Sequence, residues 1–411
     1  MDKAFIKKYG TLLLLAAGAG IIFQLPYIRE TFYVPIQNAM GLSNAQMGLL
    51  SSGYATMATL SYFIGGMIAD KFSARKLLTF SFIATGALGL WFSTFPSFAI
   101  GRLIFVLMGI TSIITYWSAC IKATRMLGGE EEQGRLFGLQ EGLRGILNAA
   151  VVFGMAWVFA QFTDEIAGAS AAIKVCAIVD IIIGILNFIF IEDTKREEQS
   201  EPVGTVVKEM FKTLLLPRVW VLVAIVFTAY SVYGLVSYAT TYAQQFFGMS
   251  AATAATLGGV RYLIQGVGGI VAGFAADKLS RGKVVIIGSI GMALSFLFYI
   301  LIPVQEGLLG LIIFNFFFGL FFIYAVRSQY FAIHDDAGIP LRLSGRVSGI
   351  ASALGYLPDV FMYTIVGGWM DSYGHTGFNM TWIYAIVMSL LCVVFTFILS
   401  KVAKDKLPEN A

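Results

Sequence analysis

Charge is what this sequence has least of. Only 13% of its 411 residues are Asp, Glu, Lys or Arg, against roughly 25% in a soluble globular chain. That excludes an ordinary water-facing surface. The net charge of +4 is no nucleic-acid footprint, because the bases sit in loops that flank apolar runs. Cysteine is scarce too: Cys120, Cys176 and Cys392 all lie inside apolar segments, so no disulfide framework is implied. The two histidines, His334 and His375, fall in loops, which excludes an intramembrane histidine relay. The chain lacks a nucleotide-binding Gly-Lys-Ser/Thr loop, a cluster of metal-ligand type and a Ser/His/acid arrangement. An enzyme, a metal and a cofactor are therefore not expected.

What the chain has is hydrophobic length. Apolar residues make up 58% of it, and a helix needs about 20 of them in a row to cross a bilayer. Twelve such segments are present. They run from about Tyr9 to Gln37 (interrupted by Pro26 and Pro35), Asn44 to Ala69, Lys76 to Phe95, Pro96 to Leu127, Leu136 to Phe162 and Ala171 to Ile191. The second six run from about Val219 to Phe247, Ala251 to Ala276, Val284 to Ile302, Leu308 to Ile333, Val347 to Met370 and Phe378 to Val402. The basic N-terminus looks like the start of a signal peptide. The apolar run behind it is long, lacks a small-residue cleavage site and precedes eleven more spans, so it reads as a retained first helix.

All but five of the 28 Lys and Arg fall on one side if both ends are cytoplasmic. The positive-inside rule then orients a multi-pass protein of a bacterial inner membrane. The exceptions are Arg29, Arg102, Arg144, Lys174 and Arg261. The organisation expected is an all-α membrane protein of twelve helices in two pseudo-symmetric six-helix bundles, residues 1–191 and 218–411. A connector, 192–217, joins them, and its VVKEMFKTLLL segment has the spacing of an interfacial amphipathic helix. A monomer is expected, with the lipid bilayer and a small solute as its partners.

The halves repeat. Gly66 to Lys76 reads GMIADKFSARK, and half a chain later Gly273 to Lys283 reads GFAADKLSRGK, which aligns Asp70 with Asp277 and Lys71 with Lys278. Gly134-Arg135-Leu136-Phe137-Gly138 returns as Gly345-Arg346-Val347-Ser348-Gly349, and Lys122 is echoed by Arg327. The paired acid-and-base motif resembles the loop signature of the major facilitator superfamily, found between helices 2 and 3 and again between helices 8 and 9; Ser73 stands where a Gly is usual. The resemblance implies a secondary transporter that works by alternating access around a site near the bilayer midplane.

Charges inside the membrane cost several kcal/mol unless paired or wet, so they mark candidate chemistry. Arg29 lies deep in the first span, with Tyr33 and Gln37 following at i+4 and i+8 on one expected face. An interior Arg grips phosphate, sulfonate or carboxylate bidentately. Arg29, Phe32 and Pro35 resemble the first-helix substrate clamp of the organophosphate:phosphate antiporters. That family places its second Arg in helix 7, where this chain has no base. Arg261, about 15 Å into the eighth span, shares a small-residue face with Gly258 and Gln265. Nitrate/nitrite porters and the oxalate:formate exchanger resemble it in carrying an Arg there. One Arg from each half would clamp an anion.

The seventh span offers Tyr230, Gly234, Ser237, Thr241 and Gln245 at helical spacing, and the eleventh Ser352, Tyr356, Asp359 and Tyr363. Glu30, Glu141 and Asp359 are candidate proton sites. Glu141 and Arg144 are spaced to pair, and Asn148 is the repeat counterpart of Asp359. Lys122 and Arg327 are expected at the cytoplasmic vestibule or inner gate. Asp180 reads as packing, lipid-facing, oligomer-forming or coupling. The cargo expected is a small anion, namely a phosphorylated, sulfonated or carboxylated sugar-like solute, driven by proton symport or by exchange for a counter-anion. The alternatives are a proton-coupled drug exporter, in which acids would dominate binding, and a non-transporting anion sensor.

Overall fold

Apolar segments of this length have one local solution. In hydrocarbon every backbone N–H and C=O must find its partner within the segment, and a helix provides that. A computed structural model of the chain describes residues 3–129, 132–192, 213–330, 333 and 341–402. The side chains of 3–4, 62–67, 69–71, 133–135, 137–138, 141, 306, 341–346 and 348 are outside that description. So are residues 206–212 of the expected amphipathic segment, His334 and the side chains of Asp70 and Glu141. Among the described residues all regular structure is helical, and nine spans are long and apolar enough to cross a membrane.

The first span is α1 (Lys3–Ile21), a 3-10 turn (Ile28–Glu30) and α2 (Tyr33–Met40). Then follow α3 (Asn44–Lys71) and α4 (Ala74–Phe92). The fourth span is α5 (Phe98–Gly109), a π-helical stretch (Ile110–Ile114) and α6 (Trp117–Arg125). The fifth and sixth spans are α7 (Gln133–Ala160) and α8 (Glu165–Phe190). The seventh is divided into α9 (Pro217–Leu235) and α10 (Tyr238–Phe246). Next come α11 (Ala251–Leu279), α12 (Arg281–Leu301) and α13 (Leu309–Gln329). The eleventh span is divided into α14 (Leu341–Gly355) and α15 (Pro358–Tyr373), and α16 (His375–Val402) is the twelfth. The twelve expected spans are all accounted for.

Four spans are interrupted, the first as Pro26 predicts and the other three where the sequence reads as continuous. The first breaks around Pro26, which cannot donate to the helix ladder. Pro35 does not interrupt it, because it sits in the first turn of α2, where an N–H has no intrahelical acceptor. The eleventh breaks before Pro358, which opens α15. The seventh breaks at Val236 and Ser237 without a proline; the Ser237 hydroxyl donates back to the Gly234 carbonyl at 2.9 Å. In the fourth span the widened π turn exposes the Thr111 carbonyl, which accepts from Ser81 of α4 at 2.5 Å and from Thr115 at 2.7 Å.

The link between the first two spans is tight. Gly41, at φ 61°, ends α2 in the left-handed region that favours glycine. Ser43 then caps α3 in a reciprocal box with Gln46.

The chain forms two compact units, Met1–Ser200 with Ser250–Leu263, and Glu201–Met249 with Ile264–Ala411. In the first, Leu15, Ile22, Leu78, Phe82 and Tyr116 are buried together, with Phe82 edge-on to Tyr116 at 5.6 Å. Helices α4 and α8 approach so closely that a Cβ on Gly86 would stand 2.6 Å from the Ala177 carbonyl. At one end of α1, Lys8 holds Glu132 at 2.7 Å and Lys7 holds the exposed Glu192. The Lys7 hydrogen bond and charge keep the Glu192 carboxyl below its ordinary range. In the second unit, Tyr299 stacks on Trp382 at 5.0 Å and Tyr242 meets Trp382 edge-on at 5.7 Å. His375 reaches the Tyr242 hydroxyl at 3.1 Å.

Candidate substrate sites in the two units

In the first unit the broken span carries the chemistry. The 3-10 turn presents Ile28, Arg29 and Glu30, and Arg29 is buried to 1% exposure. Glu30 accepts from the Arg261 Nη1 at 2.5 Å, and this pair is largely buried. Residues 250–263 of α11 belong to this unit. Arg29 and Arg261 therefore lie in the same unit, rather than one in each as the sequence halves suggest. The three side chains bring two guanidinium groups and one carboxylate to the turn. Gln24, also buried, donates to the Asn148 amide oxygen of α7 and to the Tyr262 hydroxyl at 3.1 Å. Tyr27 packs edge-on against Tyr54 at 5.3 Å, and Tyr54 shares a hydrogen bond with Ser112 at 3.3 Å.

Tyr33 and Gln37 do not continue an Arg29 face. The chain leaves helical register between Glu30 and Tyr33, so i+4 and i+8 lose their meaning there. Both side chains instead donate to one acceptor, the Asn44 amide oxygen, at 2.9 and 3.0 Å, and clip the tight turn into α3. Gln265, one turn beyond Arg261, is half-buried. Arg144 and Lys122 are half-buried, and Asp277 is exposed at the end of α11.

The second unit gathers tyrosines. Tyr230 of α9 donates to Asp359 of α15 at 3.0 Å, and Asp359 is 4% exposed. Its ring lies 4.1 Å from that of Tyr356 and 5.5 Å from that of Tyr233. The Tyr356 and Tyr330 hydroxyls meet at 3.3 Å. The Arg327 guanidinium sits over the Tyr233 ring, 4.0 Å from its centroid. The stripe expected along the seventh span is divided by the break: Ser237 is spent on Gly234, and Thr241, fully buried in α10, has no hydrogen-bond partner among the described residues.

Asp180 is not lipid-facing. It has no exposed surface, and a Cβ on Gly86 of α4 would lie 3.3 Å from its own Cβ. Sequence reasoning passed over Gln24 and Tyr262, although Gln24 is a lone amide inside an apolar run. It also passed over Tyr330, whose neighbours come from other helices and leave no local signal.

The comparisons agree with this architecture. The family model described as Major Facilitator Superfamily matches residues 9–361. The inner membrane protein YqcE of Escherichia coli (strain K12) is 32% identical over 410 residues, covering 96% of this chain and 95% of that protein. A bacterial homologue of the human lysosomal transporter Spinster, solved inward-facing and unoccupied, superposes with a TM-score of 0.80 at 16% identity, covering 100% of both chains. A D-xylose-proton symporter superposes with a TM-score of 0.70 at 17% identity, covering 99% of this chain and 97% of that one. With twelve spans among the described residues and a matching family model across most of its length, this chain belongs to the major facilitator superfamily.

Proposed function

We propose that this transporter carries a small organic anion of sugar-like size, bearing a phosphate, sulfonate or carboxylate, by alternating access. The observation that supports this most is Arg29. A guanidinium buried to 1% exposure, on a turn where the first span is unwound, is costly in a membrane interior unless it serves a charge. The Glu30–Arg261 pair supports a coupling role: protonating Glu30 would release Arg261 to the anion, and losing the anion would restore the pair. Proton symport follows from that exchange; in anion exchange a counter-anion takes the substrate's place on Arg261 instead. A second reading, export of an apolar cation, has Glu30 and Asp359 as its acids; Arg261 and Tyr230 already engage both.

The test is ligand stabilisation of the purified protein. Glucose 6-phosphate, glucuronate and a sulfonated sugar are compared with uncharged glucose. A ligand at a hundred times its Kd adds about 2.7 kcal/mol to the folded state. Arg29→Ala should abolish the anion-dependent rise in melting temperature. Arg261→Ala strands a buried carboxylate, so Glu30→Gln with Arg261→Gln serves as its control. Equal stabilisation by glucose would refute the anionic cargo, and an undiminished anion response in Arg29→Ala would refute Arg29 as its anchor.

A further inference from the structure

The second unit holds a guanidinium of its own, and the helix ends do not explain where it goes. Arg327 lies in the last turn of α13. A base there ordinarily reaches outward to water and to the helix dipole. Arg327 instead lies over Tyr233, with its guanidinium 4.0 Å from the ring centroid, and the residue is half-buried. Tyr233 stands about 24 Å along α9 from Pro217, close to the middle of the 30-residue span Pro217–Phe246. The charge is thus drawn inward to mid-depth, where a base is most costly. Among the described residues no carboxylate forms an ion pair with it, in contrast to Arg261.

Its surroundings are aromatic and hydroxylic. Tyr233 leads to Tyr230 at 5.5 Å and Tyr230 to Tyr356 at 4.1 Å; Tyr356 and Tyr330 meet through their hydroxyls at 3.3 Å. The acid of the neighbourhood, Asp359, is engaged by the Tyr230 hydroxyl at 3.0 Å. A guanidinium laid on a ring spends its face and leaves the N–H fork at its rim for a planar or tetrahedral anion. Ring faces beside it suit the C–H surface of a sugar or an aryl ring.

We propose that Arg327 and the tyrosines around it form an anion subsite of the second unit. It takes the charged head of a ring-bearing anion on Arg327 and the ring against Tyr230 and Tyr356. This rests on the reading that the cargo is anionic, though not on Arg29 as its anchor. It moves Arg327 from a gate to a ligand contact, and it narrows the cargo to anions that carry a ring.

Binding to the full chain in lipid nanodiscs tests it. The probes are glucose 6-phosphate, glucuronate, inorganic phosphate and glucose, titrated against the wild type, Arg327→Gln, Arg327→Lys, Tyr233→Phe, Tyr233→Leu and Arg29→Gln. The ring-bearing anions should bind at least tenfold more tightly than inorganic phosphate or glucose. Arg327→Gln should lose tenfold or more. Arg327→Lys should lose several-fold, because it keeps the charge and loses the fork. Tyr233→Phe, which keeps the ring face under Arg327, should lose less affinity than Tyr233→Leu. Unchanged affinity in Arg327→Gln alongside weakened binding in Arg29→Gln would overturn this subsite and leave the anionic cargo standing. A wild type that binds no anion, or binds glucose equally well, would overturn both. If Arg327→Gln does not fold, the Tyr233 pair decides: equal binding by its two variants overturns the proposal.

Discussion

Asp180 shows how little a single charged residue reveals of its surroundings. Read along the chain it is an acid in the middle of the sixth span. In the fold it has no exposed surface, and neither carboxyl oxygen has a hydrogen-bond partner among the described residues. An unsatisfied buried polar group costs about 1–3 kcal/mol. Asp180→Val, which removes the polar atoms, should therefore stabilise the fold by that order and raise the thermal unfolding midpoint, with transport retained. A lower midpoint together with lost transport would instead make Asp180 a working carboxyl. Arg261 teaches the opposite lesson. Its burial was legible from its place in an apolar run, but its partner Glu30 lies in the first span. No local spacing could disclose that pair.

At the scale of the element, packing distance decides which small residues matter. Gly86 and Gly154 look alike in sequence, each a glycine in an apolar helix. A Cβ on Gly86 would stand 2.6 Å from the Ala177 carbonyl, while one on Gly154 of α7 would meet nothing within 4 Å. Gly86→Ala must push α4 from α8 and should lower the melting midpoint, at an overpacking cost of about 1–3 kcal/mol. Gly154→Ala should leave it unchanged or raise it, because alanine is the better helix former by about 1 kcal/mol. Equal effects would show that the α4–α8 approach is looser than described. The breaks in the helices divide by cause. Pro26 predicts its break from sequence, whereas the eleventh span reads as continuous and only the fold shows it breaking before Pro358. The break at Val236 and Ser237 carries no proline and is held by a side-chain-to-backbone bond visible only in the fold.

At the scale of the molecule, charge asymmetry sets orientation and packing sets the sites. Both ends should lie in the cytoplasm, because nearly all bases flank the spans on one side. A reporter fluorescent only in the cytoplasm, fused after residue 402, should be bright, and a periplasm-dependent phosphatase in its place should be silent. The reverse pattern would overturn the topology. The twelve spans, the repeat of the two halves and the transporter class were determined by the sequence alone. Hydrophobic length and loop charge act locally, and a bilayer allows such segments only a helix. The tertiary structure decided what the polar side chains of the spans do: Tyr33 and Gln37 clip a turn, Arg261 holds Glu30, and Arg327 lies on Tyr233. A partner from another helix is a matter of three-dimensional distance, and nothing in a run of neighbouring residues encodes it.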